Sequence, residues 1–272
     1  MKKTNIRLLA IPYYIWLLMF VITPLGMLIY HSFLGTNGQF TLDNYSHFFT
    51  SWNYIKMTLS SFWYAFLVTL VTFCLAYPLA YLLSKSKRKD LWLLLVILPT
   101  WINLLLKTYA FIGILGNAGP VNQFLDWIGI GKQQLLFTDT SFMLVAAYIE
   151  LPFMFIPIFN SINEISPNLL EAAFDLGASK LTIVRRVIFP LSLRGVRSGV
   201  QAVFIPSLSL FMLTRLIGGN RVITLGTAVE QHFLVTQDWG MGATIGVVLM
   251  LVMFLILFIT RDRSSVGGNQ NV

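Results

Sequence analysis

Residues 171–190 read Glu171-Ala172-Ala173-Phe174-Asp175-Leu176-Gly177-Ala178-Ser179-Lys180-Leu181-Thr182-Ile183-Val184-Arg185-Arg186-Val187-Ile188-Phe189-Pro190. They form a polar, basic island between two apolar runs, roughly 140–162 and 194–217. Just ahead of it, Ser166 and Pro167 make a helix start, because serine can cap and proline fits the first helical position. Leu169, Leu170, Ala173, Leu176 and Gly177 then recur at three- and four-residue steps on one face. Gly177 can end that helix in a left-handed conformation. Ser179 can cap a second helix to about Ile188, which Pro190 is expected to end. A helix–glycine–helix knob of this size cannot bury a core of its own. Two uses stay open: docking into a groove on another protein, or lying on the anionic inner leaflet through Lys180, Arg185 and Arg186.

Around this island the chain is largely hydrocarbon. Of 272 residues 56% are hydrophobic and 11% charged, whereas soluble domains carry roughly 25% charged residues. Too little polar surface remains to cover a water-soluble globule, so the fold class is all-α, a polytopic integral membrane protein. A helix needs about 20 apolar residues to cross the hydrocarbon core. Six transmembrane helices are expected, at about 8–30, 58–83, 91–114, 140–162, 194–217 and 241–260. A short interfacial helix is expected around Val121 to Ile130. The first run is too long for a cleaved signal and is taken as a retained span. The polar, Gly-rich tail 264–272 is expected to be disordered.

Charge sets the sidedness. Lys2, Lys3 and Arg7, then Lys85, Lys87, Arg88 and Lys89, then Lys180, Arg185, Arg186, Arg194 and Arg197, then Arg261 and Arg263 hold most of the 19 basic residues. Cytoplasmic loops are rich in Lys and Arg, so both termini are expected inside. Lys56, Lys107, Lys132, Arg215 and Arg221 fall on or near the other side. The net charge of +8 is thereby explained without nucleic acid. Tyr45, Phe48, Phe49, Trp52, Tyr54, Trp63 and Trp239 gather near outer edges, as an interfacial belt would.

Within the island, Glu171, Ala172, Ala173, Gly177 and Pro190 fall at the spacing E-A-A-x(3)-G-x(12)-P. This resembles the cytoplasmic loop of ABC importer permeases. The family pattern continues as Ile-x-Leu-Pro, for which this chain has Val187 and Phe189, apolar departures. The resemblance covers nearly the whole chain. It implies the type I ABC importer permease (MetI-like) fold, as one domain over 1–263 with a coupling loop at 163–193. It also implies that Glu171, Ala172, Ala173, Asp175, Gly177 and Pro190 grip an ATPase. The implied partners are a second permease subunit, two copies of the ATPase, an extracytoplasmic solute-binding protein and the lipid bilayer. The implied location is a bacterial cytoplasmic membrane.

No G-x(4)-G-K-[ST] phosphate loop occurs, so ATP and Mg are expected on the ATPase and no cofactor on this chain. No serine-hydrolase elbow occurs either, and no catalytic residue is assigned. His31, His47 and His232 are far apart in sequence, with no metal-ligand spacing. The lone Cys74 lies in an apolar run and is expected to be a small core residue.

The cargo is read from weaker similarities. Leu98-Pro99-Thr100-Trp101-Ile102-Asn103 with Lys107 and Tyr109, Tyr148-Ile149-Glu150-Leu151-Pro152-Phe153, Leu216-Ile217-Gly218-Gly219, and Asp238-Trp239-Gly240-Met241-Gly242-Ala243 resemble spermidine/putrescine permeases. Opine, ferric-iron and sulfate-type relatives share parts of them, and a self-sufficient secondary transporter is the alternative from another class. A polycation's path should offer carboxylates and aromatic faces. Glu150 is the one acid well inside an expected span, where charges usually face a bundle interior or a water-filled path. Trp101, Tyr109, Tyr148 and Trp239 are candidate aromatic faces, with Asp238 and Glu230 near the outer mouth. Glu150 has a second possible role, pairing with Lys107. Pro78, Pro99, Pro152, Pro157 and Pro206 interrupt expected helices, either as kinks shaping a cavity or in ordinary packing. Gly195-x(3)-Gly199 and Gly242-x(3)-Gly246 allow close helix contact, within the chain or with a partner.

Overall fold

Apolar runs become helices because hydrocarbon offers no partner to a backbone N–H or C=O. The computed structural model, which describes residues 10–219 and 221–260, is helical almost throughout. Its one β feature among the described residues is an isolated antiparallel bridge, Leu34 to Phe40. Lys2, Lys3, Arg7, Arg261, Arg263 and the tail 264–272 lie outside the described residues.

Five runs among the described residues are long and apolar enough to cross a membrane: Ile11–Ser32, Trp52–Ser84, Leu104–Trp127, Asp139–Asn163 and Trp239–Thr260. We number the helices in chain order. α1 is Ile11–Ser32, with a π turn at Leu18–Ile22, and α2 is Asp43–Thr50. α3, Trp52–Ser84, has 33 residues; at about 1.5 Å each it overshoots a hydrocarbon core of about 30 Å. Its start at Trp52 is earlier than expected.

The expected span 91–114 is not continuous. α4 (Lys89–Ile97) gives way to a 3-10 turn at Leu98–Trp101. Ile102 is extended, with φ −80° and ψ 133°. α5 (Leu104–Leu115) restarts with Asn103 as its cap, the side-chain oxygen accepting from Leu105 N at 2.8 Å. Leu98 is still helical, with φ −49° and ψ −42°, but Pro99 supplies no N–H to bond one turn back, and the α-helix ends there. α6 (Pro120–Trp127) follows, close to the short helix expected at Val121 to Ile130. α7 (Asp139–Asn163) begins with a capping box between Thr138 and Ser141 and continues through Pro152 and Pro157.

Beyond α7 come α8 (Pro167–Asp175) and α9 (Lys180–Ile183). Pro190 does not end the second of these. After a π turn at Val184–Ile188 the chain runs straight into α10 (Phe189–Ser207), with Pro190 in its first turn. The wider π turn, in which Phe189 N bonds Val184 O, leaves room where the proline ring would otherwise meet a carbonyl one turn back. The expected span 194–217 is also interrupted: α10 stops at Ser207 and α11 is Phe211–Leu216. Arg194, Arg197 and Gln201 keep α10 out of the five apolar runs. α12 (Leu225–Glu230) and a π turn at Gln231–Val235 lead to α13 (Trp239–Thr260).

By its internal contacts the chain forms two compact units. The first combines residues up to Met57 with Ala228–Phe254. Here Thr244 Oγ1 donates to Ser32 O at 3.0 Å and Asn44 Nδ2 to Leu34 O at 2.9 Å. A methyl group on Gly246 would lie 3.5 Å from Leu28. The second unit, Thr58–Thr227 with the end of α13, has a core of Val68, Phe142, Met154, Phe155, Ile158, Val203, Leu213 and Ile217. α7 and α10 pack along each other in it. A Cβ at Gly195 would collide with the Pro157 carbonyl and the Ser161 side chain, and Gly195 N donates to Ser161 Oγ at 3.1 Å. Gly199 sits against Met154. Both small-residue pairs thus make contacts within the chain.

Two expectations are corrected by burial. Cys74 is exposed, because Thr72, Ala76 and Ala80 take the packed face of α3. Phe48 and Tyr54 are buried and stack at 5.5 Å, so they are packing residues, while Phe49, Trp52, Trp63 and Trp239 stay exposed as a belt requires.

Candidate functional site

The island folds as two short helices joined at glycine. Ser166 occupies the cap of α8 without a side-chain cap bond; Pro167 alone starts it. At its end Gly177 has φ +79°. Gly177 N donates to Phe174 O at 2.8 Å and Ala178 N to Ala173 O at 3.1 Å. This paired closure is a Schellman motif, which needs the left-handed residue that glycine supplies. Ser179 then caps α9, its hydroxyl accepting from Thr182 N at 3.3 Å.

This local geometry sorts the side chains. Leu170, Ala173 and Ala178 pack on the core of the second unit. Glu171, Ala172, Phe174 and Asp175 are exposed, Leu176 is 88% exposed and Leu181 76%. The knob therefore presents two carboxylates and three large apolar side chains outward on a backbone fixed from behind. Pro190 belongs to a neighbouring cavity of about 680 Å³, lined also by Glu164, Ser166, Leu169 and Arg194.

The candidate path residues divide between the units. In the second unit Glu150 is 5% exposed on α7, and Lys107 of α5 is the charge that acts on it. Tyr148 meets Phe111 edge-on at 5.0 Å. Trp101 and Tyr109 are exposed, Trp101 at the break between α4 and α5. In the first unit Asp238 caps α13, its carboxylate accepting from Met241 N at 3.1 Å. Trp239 packs edge-on to Phe233 at 5.4 Å and tilted to His31 at 6.3 Å. His31, Asp238 and Trp239 border a cavity of about 380 Å³ that Leu34, Gly35 and Gly38 also line.

Sequence spacing gave no sign that two histidines meet. His47 lies 5.7 Å from the Tyr54 ring, and Tyr54 Oη is 2.9 Å from His232 Nε2. His232 Nδ1 faces Asp238 at 3.9 Å. Burial pushes the His232 pKa down; the Asp238 charge opposes this and His47 reinforces it. The unfolded chain therefore takes up the proton first. Stability from this site is present above the ordinary histidine value, about 6.5, and is lost as pH falls from there through the lower folded value. Thermal unfolding of the purified protein should shift to lower temperature between pH 8 and pH 5. The shift should shrink in His232→Gln, and equal shifts would contradict the assignment.

Comparison with known proteins fits this geometry. The family described as binding-protein-dependent transport system inner membrane component matches residues 32–262. The chain is 37% identical over 254 residues to the spermidine/putrescine transport system permease protein PotB of Escherichia coli, covering 90% of this chain and 92% of that protein. PotB of Haemophilus influenzae is 32% identical over 254 residues, covering 90% and 88%. A chain in the crystal structure of a bacterial alginate ABC transporter, in complex with an alginate pentasaccharide-bound periplasmic protein, shares the fold with a TM-score of 0.81 at 19% identity. That likeness covers 94% of this chain and 92% of the other. This chain therefore belongs to the family of binding-protein-dependent transport system inner membrane components, with the fold of an ABC transporter permease.

Proposed function

We propose that the chain is one of a pair of permease subunits in an ATP-driven importer of polyamines of the spermidine and putrescine class. The observation that carries this reading is sequence identity over nine-tenths of the chain with permeases named for those cargoes. The chain acts as one permease domain in a bacterial cytoplasmic membrane, with both termini in the cytoplasm. An extracytoplasmic binding protein delivers the cargo, and a second permease completes the path. Glu171, Ala172, Ala173, Asp175 and Gly177 seat in a groove of a separate ATPase, with Pro190 at the return to the membrane. ATP and Mg bind there and not on this chain. The outward carboxylates and leucines of a knob braced from behind support that seating.

Trp101, Tyr109, Tyr148, Glu150, Asp238 and Trp239 serve the path in this reading. A polycation gains from aromatic faces and from the carboxylates. Glu150→Gln is expected to lower polyamine uptake about tenfold in membranes with normal complex assembly. Unchanged uptake would refute its place on the path. A loss of stability of about 3–5 kcal/mol, restored by Lys107→Met, would instead give it the pairing role.

Purifying the chain with its co-expressed neighbours tests the assembly. An ATPase and a second permease should travel with it. Recovery of the chain alone, active in uptake driven by an ion gradient, would favour a secondary transporter.

A further inference from the structure

The break between α4 and α5 falls in the middle of the apolar stretch 91–114. α4 starts on Lys89, the last residue of the basic cluster, and has 9 residues; counted along the membrane normal from that cluster at about 1.5 Å per residue, Leu98 comes about 14 Å in, near the middle of a hydrocarbon core of about 30 Å. Non-helical backbone at that depth is tolerated where it is buried in protein or lines water. This one is not buried within its own chain: Trp101 is 75% exposed, Ile102 45%, and Asn103 is exposed.

The backbone there is short of partners. Ile102 N donates to Pro99 O at 3.2 Å, and Asn103 O accepts from Lys107 N at 3.1 Å. Among the described residues, the carbonyls of Thr100, Trp101 and Ile102 between them accept no hydrogen bond from outside the helices. They stand at the C-terminal end of α4 and its 3-10 extension, the end whose dipole favours cations. Lys107 lies one turn further along α5, with Glu150 as an opposite charge acting on it.

We propose that the Leu98–Asn103 break lines the aqueous path at mid-membrane, and that the carbonyl oxygens of Thr100, Trp101 and Ile102 accept hydrogen bonds from the ammonium groups of the cargo. The ammonium part rests on the polyamine reading above; the water-lined part does not. Three successive carbonyls in a segment that carries the exposed Trp101 side chain suit a primary ammonium, whose three N–H donors need acceptors once its water is shed. Side-chain variation would leave such a site largely intact, because its ligands are backbone atoms.

The test uses the assembled complex in proteoliposomes, in a Cys74→Ser background. Ile102→Cys and, separately, Asn103→Cys are exposed to a charged, membrane-impermeant methanethiosulfonate. The thiolate that reacts forms in water and not in hydrocarbon, so labelling should be about tenfold faster than at Leu75→Cys, an exposed position on α3. Saturating spermidine should slow it about fivefold by occupying the site. Labelling no faster than at Leu75→Cys in both variants would overturn the water-lined break. Fast labelling that neither spermidine nor putrescine slows would overturn the carbonyl site. Polyamine uptake by the unaltered complex is measured in parallel, so failure of the cargo reading shows separately.

Discussion

The Glu171→Arg, Gly177→Asp double variant is expected to lose its co-purifying ATPase and, with it, ATP-driven uptake, while still folding in the membrane. Neither change disturbs the core. Glu171 is exposed, and a Cβ at Gly177 would have nothing within 4 Å. The φ of +79° at Gly177 strains an aspartate by about 1 kcal/mol, and this falls on a helix end that is already exposed. At a docked surface, reversing a charge and straining the turn that aims it costs about 2–5 kcal/mol. That is about 30-fold to several thousand-fold in affinity. Gly177→Asn, which tolerates the left-handed conformation, should retain most binding. Stable association of the double variant with the ATPase, measured by co-purification, would remove the basis for the coupling role.

Gly195→Leu should act in the opposite way, through the fold and not the partner. Gly195 is buried where α10 crosses α7, with the Pro157 carbonyl and Ser161 against it. A backbone carbonyl cannot swing aside, so the helices must separate. Overpacking of this kind typically costs about 1–3 kcal/mol, and a leucine against backbone belongs at or beyond the upper end. The variant should unfold at clearly lower temperature in detergent and be cleared from membranes. Gly113→Ala is the control: it has nothing within 4 Å of its Cβ and should change stability by about 0.5 kcal/mol or less. Similar melting of the two variants would show that the α7–α10 contact is not what holds the second unit together.

Much of this molecule was legible because membrane physics writes itself into runs of residue types. The apolar stretches announced α1, α3, α7 and α13, and the spacing from Ser166 to Ser179 announced α8, the glycine turn and α9. What escaped was governed by exceptions to those patterns. Pro99 and Asn103 carried the signal for the break between α4 and α5, a helix-breaking ring and a cap four residues on, yet the apolar residues around them read as one span. Pro190 reads as a terminator in sequence because the π turn that accommodates it leaves no mark in composition. Cys74 reads as a core residue because the two sides of α3 are nearly equally apolar, and only packing distinguishes them. The meeting of His47, Tyr54 and His232 joins residues from opposite ends of the chain, which no local spacing could reveal. For the candidate path, aromatic and acidic residue types were readable, whereas the carbonyls of Thr100, Trp101 and Ile102 have no sequence signature at all.

The central claim is that this chain is a polyamine permease subunit driven by a separate ATPase. Proteoliposomes holding the complete complex, loaded with ATP and Mg and given binding protein with radiolabelled spermidine outside, test it most directly. ATP-dependent accumulation of spermidine, abolished when this chain carries Glu171→Arg and Gly177→Asp, is the expected result. Accumulation that proceeds without ATP, or a complex that moves another solute and leaves both spermidine and putrescine outside, would contradict it.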